Sequence, residues 1–490
     1  MSVPVKVSAH HSWKGLYLPP DMVSLPCCAT LSENMAAVSL KGTTVHRKFP
    51  VSRILMASLV ALALLFAGAA QAQGRRSGPS MPVNQSWHSP RDFDNPANEA
   101  SLLKRNNSLE PERGADIESV RQQHERQARE LLSLHKNVIE ADPNGQPVLR
   151  RQILVIAPDA ALAAYANEGF MADSTKSLDE LGIKLAILRV PERFSTTSEG
   201  LERIHQLTPA AIADFDHVYF SSAAGSGRRR VAGNQAQPLV EASGLRVGLI
   251  DSGLDVNHEV FRSSKIERWG CQDQVVPSDH GTAVASLMIG SSEKFQGVLP
   301  GATLFAADVY CGLPTGGSAS DIAKALEWMA RNNVPVINLS LVGPPNQILE
   351  RAVSAVIQRG HLLTAAVGND GPAAPPLYPA SYKGVIGVSG VDDKRHSLPE
   401  AARGPQVAFA APGSKMVAAA TGDPSFRTVR GTSYASPIVA AMLARSMPKP
   451  GVEIAAAAVA ELTKEAVDAR TERSADIGWG IVGEQYRTAK

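Results

Sequence analysis

The sequence is poor in cysteine and in net charge, and each shortage excludes a class of protein. Four cysteines in 490 residues are too few for a disulfide-stabilised scaffold, and their spacing matches no zinc motif. The 49 basic residues nearly balance the 47 acidic ones, so a formal net charge of +2 gives no electrostatic basis for binding nucleic acid. No acidic cluster in the second half has the spacing of a calcium loop. We therefore expect neither a metal nor a nucleic-acid partner.

One uncharged run stands out, from Ile54 to Ala70, and the basic segment 47–53 precedes it. The small-x-small triplet Ala70-Gln71-Ala72 follows, as at a signal-peptide cleavage site. The run is short for a bilayer crossing, which needs about 20 apolar residues. We expect residues 1–72 to be an N-terminal extension with a signal peptide, and the protein to be secreted or periplasmic. The alternative is a membrane anchor, with membrane contact through residues 54–70.

Residues 73–149 combine a linker with one helix. Residues 73–114 are rich in Ser, Pro, Asn and Arg without apolar periodicity, which is typical of a flexible linker. The segment Asp116–Ile139 has apolar residues on roughly one helical face, and the turn sequence Asp142-Pro143-Asn144-Gly145 ends it. We expect a helix packed on a neighbouring element; a partner-binding helix is the alternative.

A small α/β domain is expected within residues 150–230. Strands and helices alternate in the pattern, in the order Gln152–Ala157, Asp159–Asn167, Lys184–Val190, a helix from Thr196 to Leu207, and Phe215–Phe220. Thr196 and Glu199 have capping-box spacing. This order suits a two-layer fold of the ferredoxin-like kind. The basic, glycine-containing stretch 224–230 that follows is typical of an exposed linker that a protease can cut.

Residues 241–490 alternate short apolar strands with helices. The predicted strands are Arg246–Ile250, Thr303–Tyr310, Val334–Ser340, Leu362–Val367 and Val385–Val391, and the helices between them are Ser320–Asn332 and Asn346–Arg359. Such alternation predicts an α/β fold, a mainly parallel sheet with helices on both faces.

Three short motifs in this second half carry chemistry. The strand Val247–Ile250 ends in Asp251 and a glycine turn, and His280 opens an apolar helix. Ser433 lies in Gly431-Thr432-Ser433-Tyr434-Ala435-Ser436-Pro437 at a helix start, where unpaired N–H groups favour developing negative charge. Each motif alone has a structural interpretation: an acid in a turn, a buried histidine or a helix cap.

Together the motifs resemble those of the subtilisin-like serine peptidases (subtilases, peptidase family S8), whose chain order is Asp, His, Ser. The resemblance implies that Ser433 attacks the scissile carbonyl, that His280 transfers the proton and that Asp251 orients the imidazole. Asn369, in the segment Val367–Gly371, would be the oxyanion-hole donor. The implied function is a secreted endopeptidase that acts on proteins or peptides through an acyl-enzyme, without a cofactor.

The resemblance also extends to substrate binding. Val336–Leu341 looks like the family's substrate-binding strand, whose edge pairs with an extended peptide. The implied substrate-binding residues are Ser340, Leu341, Val342, Gly343 and Gly368. Val342 replaces a usual glycine on the pocket wall, and Leu377 aligns near the pocket base. Both side chains take up volume, so we predict small or medium residues before the scissile bond.

Residues 150–230 resemble the family's inhibitory propeptide in size and order, which implies a self-processed precursor cut between Ser221 and Glu241. A permanent accessory domain is the alternative. A catalytically silent binding module and a membrane-tethered signalling protease are the alternative functions. Cys271 and Cys311 are the cysteines left once the signal is removed, and in an oxidising compartment they can form one bridge.

Overall fold

Two sheets organise the described part of the chain. The computed structural model describes residues 117–222, 226–227, 242–293 and 295–488, which belong to one compact unit. The predicted signal peptide, the linker 73–114 and most of the basic stretch 224–230 lie outside the described residues. Among the helices that are described, none combines the length and the apolar character needed to cross a membrane.

The first sheet belongs to the N-terminal domain. Its elements are α1 (Ile117–Leu134), β1 (Ile139–Ala141), β2 (Pro147–Ile156), α2 (Asp159–Asn167), β3 (Met171–Leu178), β4 (Ile183–Arg189), α3 (Thr197–Leu207) and β5 (Ile212–His217). Strands β5, β2, β4 and β3 lie side by side in that order, all antiparallel, and β1 pairs with the start of β2. This is the strand order of a ferredoxin-like fold.

The structure differs from the sequence prediction at two places in this domain. The sequence pattern contains no signal for β3, because every side chain of that strand except Leu178 is at least partly exposed. The sheet also begins at Ile139, so the predicted boundary at residue 150 falls inside β2. The capping box at Thr196 is present, since its side chain accepts a hydrogen bond from the Glu199 amide at 3.2 Å.

Alternating side chains give the N-terminal sheet two buried faces, as the period of two in a strand requires. Ile153 and Val155 pack with the domain's own helices. Leu154, Leu185 and Ile187 point the other way and join a core shared with helices of the second domain. The two domains are therefore joined by a continuous apolar core.

The second sheet has seven parallel strands: β8 (Arg246–Asp251), β9 (Lys265–Trp269), β12 (Thr303–Asp308), β13 (Val336–Leu339), β15 (Leu362–Ala366), β16 (Ile386–Val391) and β17 (Val407–Pro412). They lie side by side in the order β17-β16-β15-β13-β8-β12-β9. Helices α4 (Asp279–Ile289), α7 (Thr432–Arg445) and α8 (Val452–Glu465) pack on one face, and α5 (Ala319–Arg331) and α6 (Gln347–Gln358) on the other. The predicted parallel α/β architecture is confirmed.

Short strands complete the fold. They are β6 (Phe220–Ser221), β7 (Ser226–Gly227), β10 (Ser291–Ser292), β11 (Phe295–Gln296), β14 (Leu341–Val342), β18 (Met416–Ala419) and β19 (Phe426–Val429). Strand β6 pairs with β14, and β7 pairs with β19 of the β18–β19 hairpin. Cys271 and Cys311 are joined by a disulfide, which ties the turn after β9 to the loop after β12.

Candidate active site

The carboxyl ends of three adjacent strands bring the predicted site residues together, as is usual in open parallel sheets. Asp251 is the last residue of β8, Ser340 follows β13, and Asn369 lies shortly after β15. His280 and Ser433 stand in the first turns of α4 and α7, which pack on the same face of the sheet.

Asp251 and His280 form a buried hydrogen-bonded pair. The imidazole Nδ1 lies 2.8 Å from Asp251 Oδ1, and the side chains are 1% and 9% exposed. The Ser252 amide and hydroxyl donate to the same carboxylate oxygen at 2.7 and 3.0 Å. Gly281 allows this approach, because a Cβ there would lie 2.1 Å from the Ser252 carbonyl oxygen. The carboxylate is thus held, and it fixes the orientation of the imidazole ring.

Ser433 is fully buried in the first turn of α7. Its Oγ, like His280 Nε2, has no hydrogen-bond partner among the described residues. The Tyr434 ring packs against the His280 ring, with centroids 5.4 Å apart. Burial, and then the charge of Asp251, raise the pKa of the Tyr434 hydroxyl, which therefore stays neutral beside the histidine.

A buried polar network fixes the backbone of Ser433. The Ser340 hydroxyl donates to the Ser433 carbonyl at 2.9 Å and accepts from the Asn338 amide at 2.8 Å. Asn338 Oδ1 in turn accepts from the hydroxyls of Ser436 and Thr364 at 2.6 and 3.0 Å. Because each hydroxyl in this network has a partner, the network is rigid and holds the start of α7 against β13.

Both ends of the Asn369 side-chain amide, Oδ1 and Nδ2, are hydrogen-bonded. Its Oδ1 accepts a hydrogen bond from the Thr432 amide at 3.0 Å, which aims Nδ2 away from α7. Nδ2 donates to the backbone carbonyl of Ser222, a residue of the segment that follows the N-terminal domain. The candidate oxyanion donor is therefore bound to a peptide carbonyl of the chain itself.

Residues 218–222 cross the candidate cleft as an extended strand. Ser221 pairs with Leu341 and Phe220 with Val342, in the antiparallel sense. The Ser222 amide and hydroxyl both donate to the Ser340 carbonyl, at 3.3 and 3.2 Å. The predicted binding strand is thus paired with an extended peptide.

Gly368 lies where two larger side chains meet. It has φ of +98°, and a Cβ there would stand 2.5 Å from Leu377 Cδ1 and 3.7 Å from Val342 Cγ1. Gly343, the remaining predicted substrate-binding residue, exchanges two backbone hydrogen bonds with Tyr378, at 2.9 and 3.0 Å. Leu377 and Val342 therefore flank the loop that carries Asn369.

Sequence reasoning predicted an inhibitory propeptide, but not which of its residues occupy the cleft. Residues Tyr219 and Ser222 contact the second domain across more than 90 positions of sequence, and no local pattern marks such a contact. The available signal was the end of an apolar strand at Phe220, directly before the basic, glycine-containing sequence 224–230. The supporting side chains Asn338 and Ser252 were also missed, because a buried asparagine or serine has no spacing signature.

Comparison with known proteins agrees with this architecture. A model of the subtilase family matches residues 242–480. "Subtilisin-like protease 1" of Trichophyton rubrum is 33% identical over 288 residues, which cover 56% of this chain and 51% of that protein. The protein of the same name from Arthroderma gypseum is 33% identical over 275 residues, covering 53% and 51%. The chain thus spans about half the length of these relatives.

Among solved structures, fervidolysin from Fervidobacterium pennivorans, described as a keratinolytic enzyme related to subtilisin, superposes with a TM-score of 0.57. The superposition covers 71% of this chain and 62% of that one, at 16% sequence identity, and so reports on the fold alone. The family match includes the segments that carry Asp251, His280, Asn369 and Ser433. Residues 242–480 of the chain thus match the subtilase family.

Proposed function

We propose that this chain is a secreted serine endopeptidase with the triad Asp251, His280 and Ser433, made as a precursor that cuts itself. One observation carries the proposal: Asn369 Nδ2 donates to the Ser222 carbonyl while the Ser222 amide donates to the Ser340 carbonyl. The Ser222 backbone is therefore held in the manner of a substrate, beside the start of the helix that contains Ser433.

The geometry supports a defined sequence of proton transfers. Asp251 accepts a hydrogen bond from the Nδ1–H of His280, which leaves the lone pair of Nε2 to take the Ser433 hydroxyl proton. Ser433 Oγ then attacks the carbonyl carbon of the bound peptide, and the developing oxyanion accepts a hydrogen bond from Asn369 Nδ2. The partial positive charge at the N-terminus of α7 acts on the same oxyanion.

The second half of the reaction follows from the same groups. His280 returns its proton to the leaving amine, the C–N bond breaks, and an acyl-enzyme forms on Ser433. Water, deprotonated by His280, then hydrolyses the ester. When the bound peptide is the chain's own, the bond that breaks is Ser222–Ala223, inside the interval 221–241 indicated by the sequence.

The domain organisation is part of the proposal. Residues 1–72 carry the signal peptide, residues 73–138 form a linker and a helix, and residues 139–222 are the inhibitory propeptide. Export is supported by the Ile54–Ala70 pattern and by the Cys271–Cys311 disulfide, because such bridges persist in oxidising compartments.

The test compares the full chain with Ser433→Ala. We expect the wild type to yield a fragment with Ala223 at its N-terminus, identified by intact mass and N-terminal sequencing, and Ser433→Ala to stay uncut. Ser389→Ala is the matched control, because Ser389 is also buried and its hydroxyl also lacks a partner among the described residues. It should be processed like the wild type.

Two further results would contradict the proposal. Cleavage after Ser222 in Ser433→Ala at the wild-type rate would remove Ser433 as the nucleophile. A wild-type protein that neither hydrolyses casein nor reacts with a fluorophosphonate at Ser433 would instead be a silent binding module.

A further inference from the structure

The side chain of Tyr219 is buried against the second domain. Tyr219 is 0% exposed, although it belongs to the segment that crosses the cleft. Its ring lies on Gly343, where a Cβ would stand 2.5 Å from the ring atom Cδ1. Its amide donates to the Gly317 carbonyl at 2.9 Å. Backbone pairing and an aromatic pocket thus fix this residue three positions before Ser222.

The pocket also recognises the tyrosine hydroxyl. Tyr219 Oη donates to the Pro344 carbonyl at 2.8 Å. The neighbouring Tyr382 hydroxyl is committed to Asn346, donating to its carbonyl and accepting from its amide, both at 2.9 Å. Burial, followed by the proximity of Tyr382, raises the pKa of Tyr219, so the phenol keeps its proton and remains a donor.

A phenylalanine in the same pocket would leave the half-buried Pro344 carbonyl without its donor. The lost hydrogen bond weakens binding, and sites built around a substrate hydroxyl discriminate against the analogue that lacks it. An aliphatic side chain would in addition lose the ring contact over Gly343. Shape and hydrogen bonding therefore favour the same residue.

We propose that the protease selects substrates with tyrosine at the fourth residue before the scissile bond and a small residue directly before it. This inference rests on the proposed function, and it names the substrate class of that site. Ser222 is the small residue in the bound segment, and Leu377 and Val342 approach each other beside Gly368, next to Asn369. The chain's own Tyr-Phe-Ser-Ser sequence, residues 219–222, is the template of the motif.

The first experiment uses the self-processed enzyme and N-acetyl tetrapeptides with a fluorogenic amide leaving group. The series is Tyr-Phe-Ser-Ser and the same peptide with Phe, Leu or Ala first. We expect kcat/KM for the tyrosine peptide to exceed that for the phenylalanine peptide by about tenfold or more, and the alanine peptide to be the poorest. Equal kcat/KM for tyrosine and phenylalanine would overturn the inference.

The second experiment measures self-cleavage in the full chain. Tyr219→Phe should slow the appearance of the Ala223 N-terminus by about tenfold. Tyr165→Phe is the matched control, because Tyr165 is also 0% exposed and its hydroxyl has no partner among the described residues. It should be processed at the wild-type rate. Equal rates for the two variants would again overturn the inference.

Casein hydrolysis and fluorophosphonate labelling of Ser433 distinguish failure of the tyrosine selection from failure of the endopeptidase function. If both are positive and the peptides are cleaved alike, the endopeptidase stands and the tyrosine selection fails. If both are negative and no peptide is cleaved, the proposed function fails, and the tyrosine selection fails with it.

Discussion

Both ends of the Asn369 side-chain amide are hydrogen-bonded, so that Nδ2 is already oriented as a donor. The Thr432 amide fixes Oδ1, and Nδ2 donates to the Ser222 carbonyl, its one partner within the described part of the chain. Orienting a donor before the reaction removes the cost of reorganising it as charge develops. Its neighbours are held as well, since Gly371 donates to the Glu400 carbonyl at 2.8 Å.

The first prediction concerns this side chain. Asn369→Ala should slow self-cleavage of the full chain by about 10²- to 10³-fold, because one oxyanion donor is lost. The fragment that begins at Ala223 is followed over time by mass spectrometry. The thermal unfolding midpoint, measured alongside, should change little. A cleavage rate within threefold of the wild type would show that Asn369 does not stabilise the oxyanion.

At the residue scale, the sequence could predict functional side chains that lie in compact motifs. It could not predict residues that reach the site only because the two domains pack together. Asp251, His280 and Ser433 each stand at the end of a strand or the start of a helix, and such positions are set locally. Ser222 reaches Asn369 only because the N-terminal sheet packs on α5 and α6. That packing depends on side chains spread over both domains.

At the element scale, the end of β5 meets the N-termini of α5 and α6. Asp214 Oδ2 accepts from the Gln347 amide at 2.8 Å, and Asp216 Oδ1 accepts from the Ser320 amide at 3.0 Å. Burial raises the pKa of both carboxyls, that of Asp216 to about 6. Asp216 Oδ2 has no hydrogen-bond partner among the described residues, consistent with a carboxyl that resists ionisation.

The second prediction is a pH dependence of propeptide release. Bound Asp216 has a pKa of about 6, against 3.8 when exposed, so the complex holds a proton that the released propeptide loses. Its stabilising contribution is complete below about pH 4 and is lost as the pH rises through 6. Asp214 acts in the same direction. We expect the cleaved propeptide to stay bound at pH 5 and to dissociate more readily at pH 8, as measured by size-exclusion chromatography.

Asp216→Asn provides the control, because the amide imitates the protonated acid at every pH. It should reduce the difference between pH 5 and pH 8. Two other charged residues act on the Asp216 carboxyl: Asp321 opposes its ionisation and Lys324 favours it. Burial alone would raise the pKa of Asp142, but the hydrogen bond with His217 contributes to a net lowering. The effect of Asp142 on propeptide binding therefore falls below about pH 4, outside the pH range that is compared. Dissociation that does not depend on pH in the wild type would contradict the prediction.

Helix α1 contacts both the occupied cleft and the loop of Asn369. His124 Nδ1 lies 3.1 Å from Asp370 Oδ2, and its ring packs edge-on against Phe220 with centroids 5.1 Å apart. The helix is anchored by Leu131 and Leu132, which pack around Ile139. Through His124 it therefore contacts the strand that fills the cleft.

The third prediction is that α1 slows release of the cleaved propeptide. His124→Ala removes the aromatic contact and the partner of Asp370, so peptide hydrolysis should appear several-fold faster after self-cleavage. His135→Ala is the control, because His135 has the same half-buried class as His124 but makes neither of these two contacts. The lag before full hydrolysis of a fluorogenic peptide measures the effect. An unchanged lag in His124→Ala would mean that α1 does not retain the propeptide.

At the element scale, amphipathic sequence patterns predicted two helices well but missed one strand. Helices α5 and α6 agree with the prediction to within a residue or two, because each has a side-chain cap and one apolar face: Ser318 caps α5 and Asn346 caps α6. Strand β3 could not be predicted, since an exposed strand at the sheet edge needs no apolar alternation. Pairing with β4 alone establishes it.

At the scale of the whole molecule, the core shared by the two domains bears on folding. Leu154, Leu185 and Ile187 of the N-terminal sheet pack in one cluster with Ile322 and Val353 of α5 and α6. Without the N-terminal domain, this apolar face of the second domain would be exposed to water. That exposure costs about 25 cal/mol of free energy for each Å² of apolar surface. The parallel sheet beneath it pairs strands that are distant in sequence, and such sheets fold slowly.

The fourth prediction is that the N-terminal domain assists folding of the second domain. Residues 223–490, refolded alone from denaturant, should regain little peptide-hydrolysing activity, whereas refolding in the presence of residues 117–222 should restore much of it. The N-terminal domain offers a preformed face on which α5 and α6 can assemble, and it caps both helix N-termini through Asp216 and Asp214. Leu185→Asp in the added domain is the discriminating variant. Its side chain lies in the shared core and not among the domain's own helices, so the domain can keep its own core while losing the docking face. Recovery of full activity by residues 223–490 alone would show that the N-terminal domain inhibits the enzyme without assisting its folding. Equal rescue by the Leu185→Asp domain would show that the docking face does not guide folding.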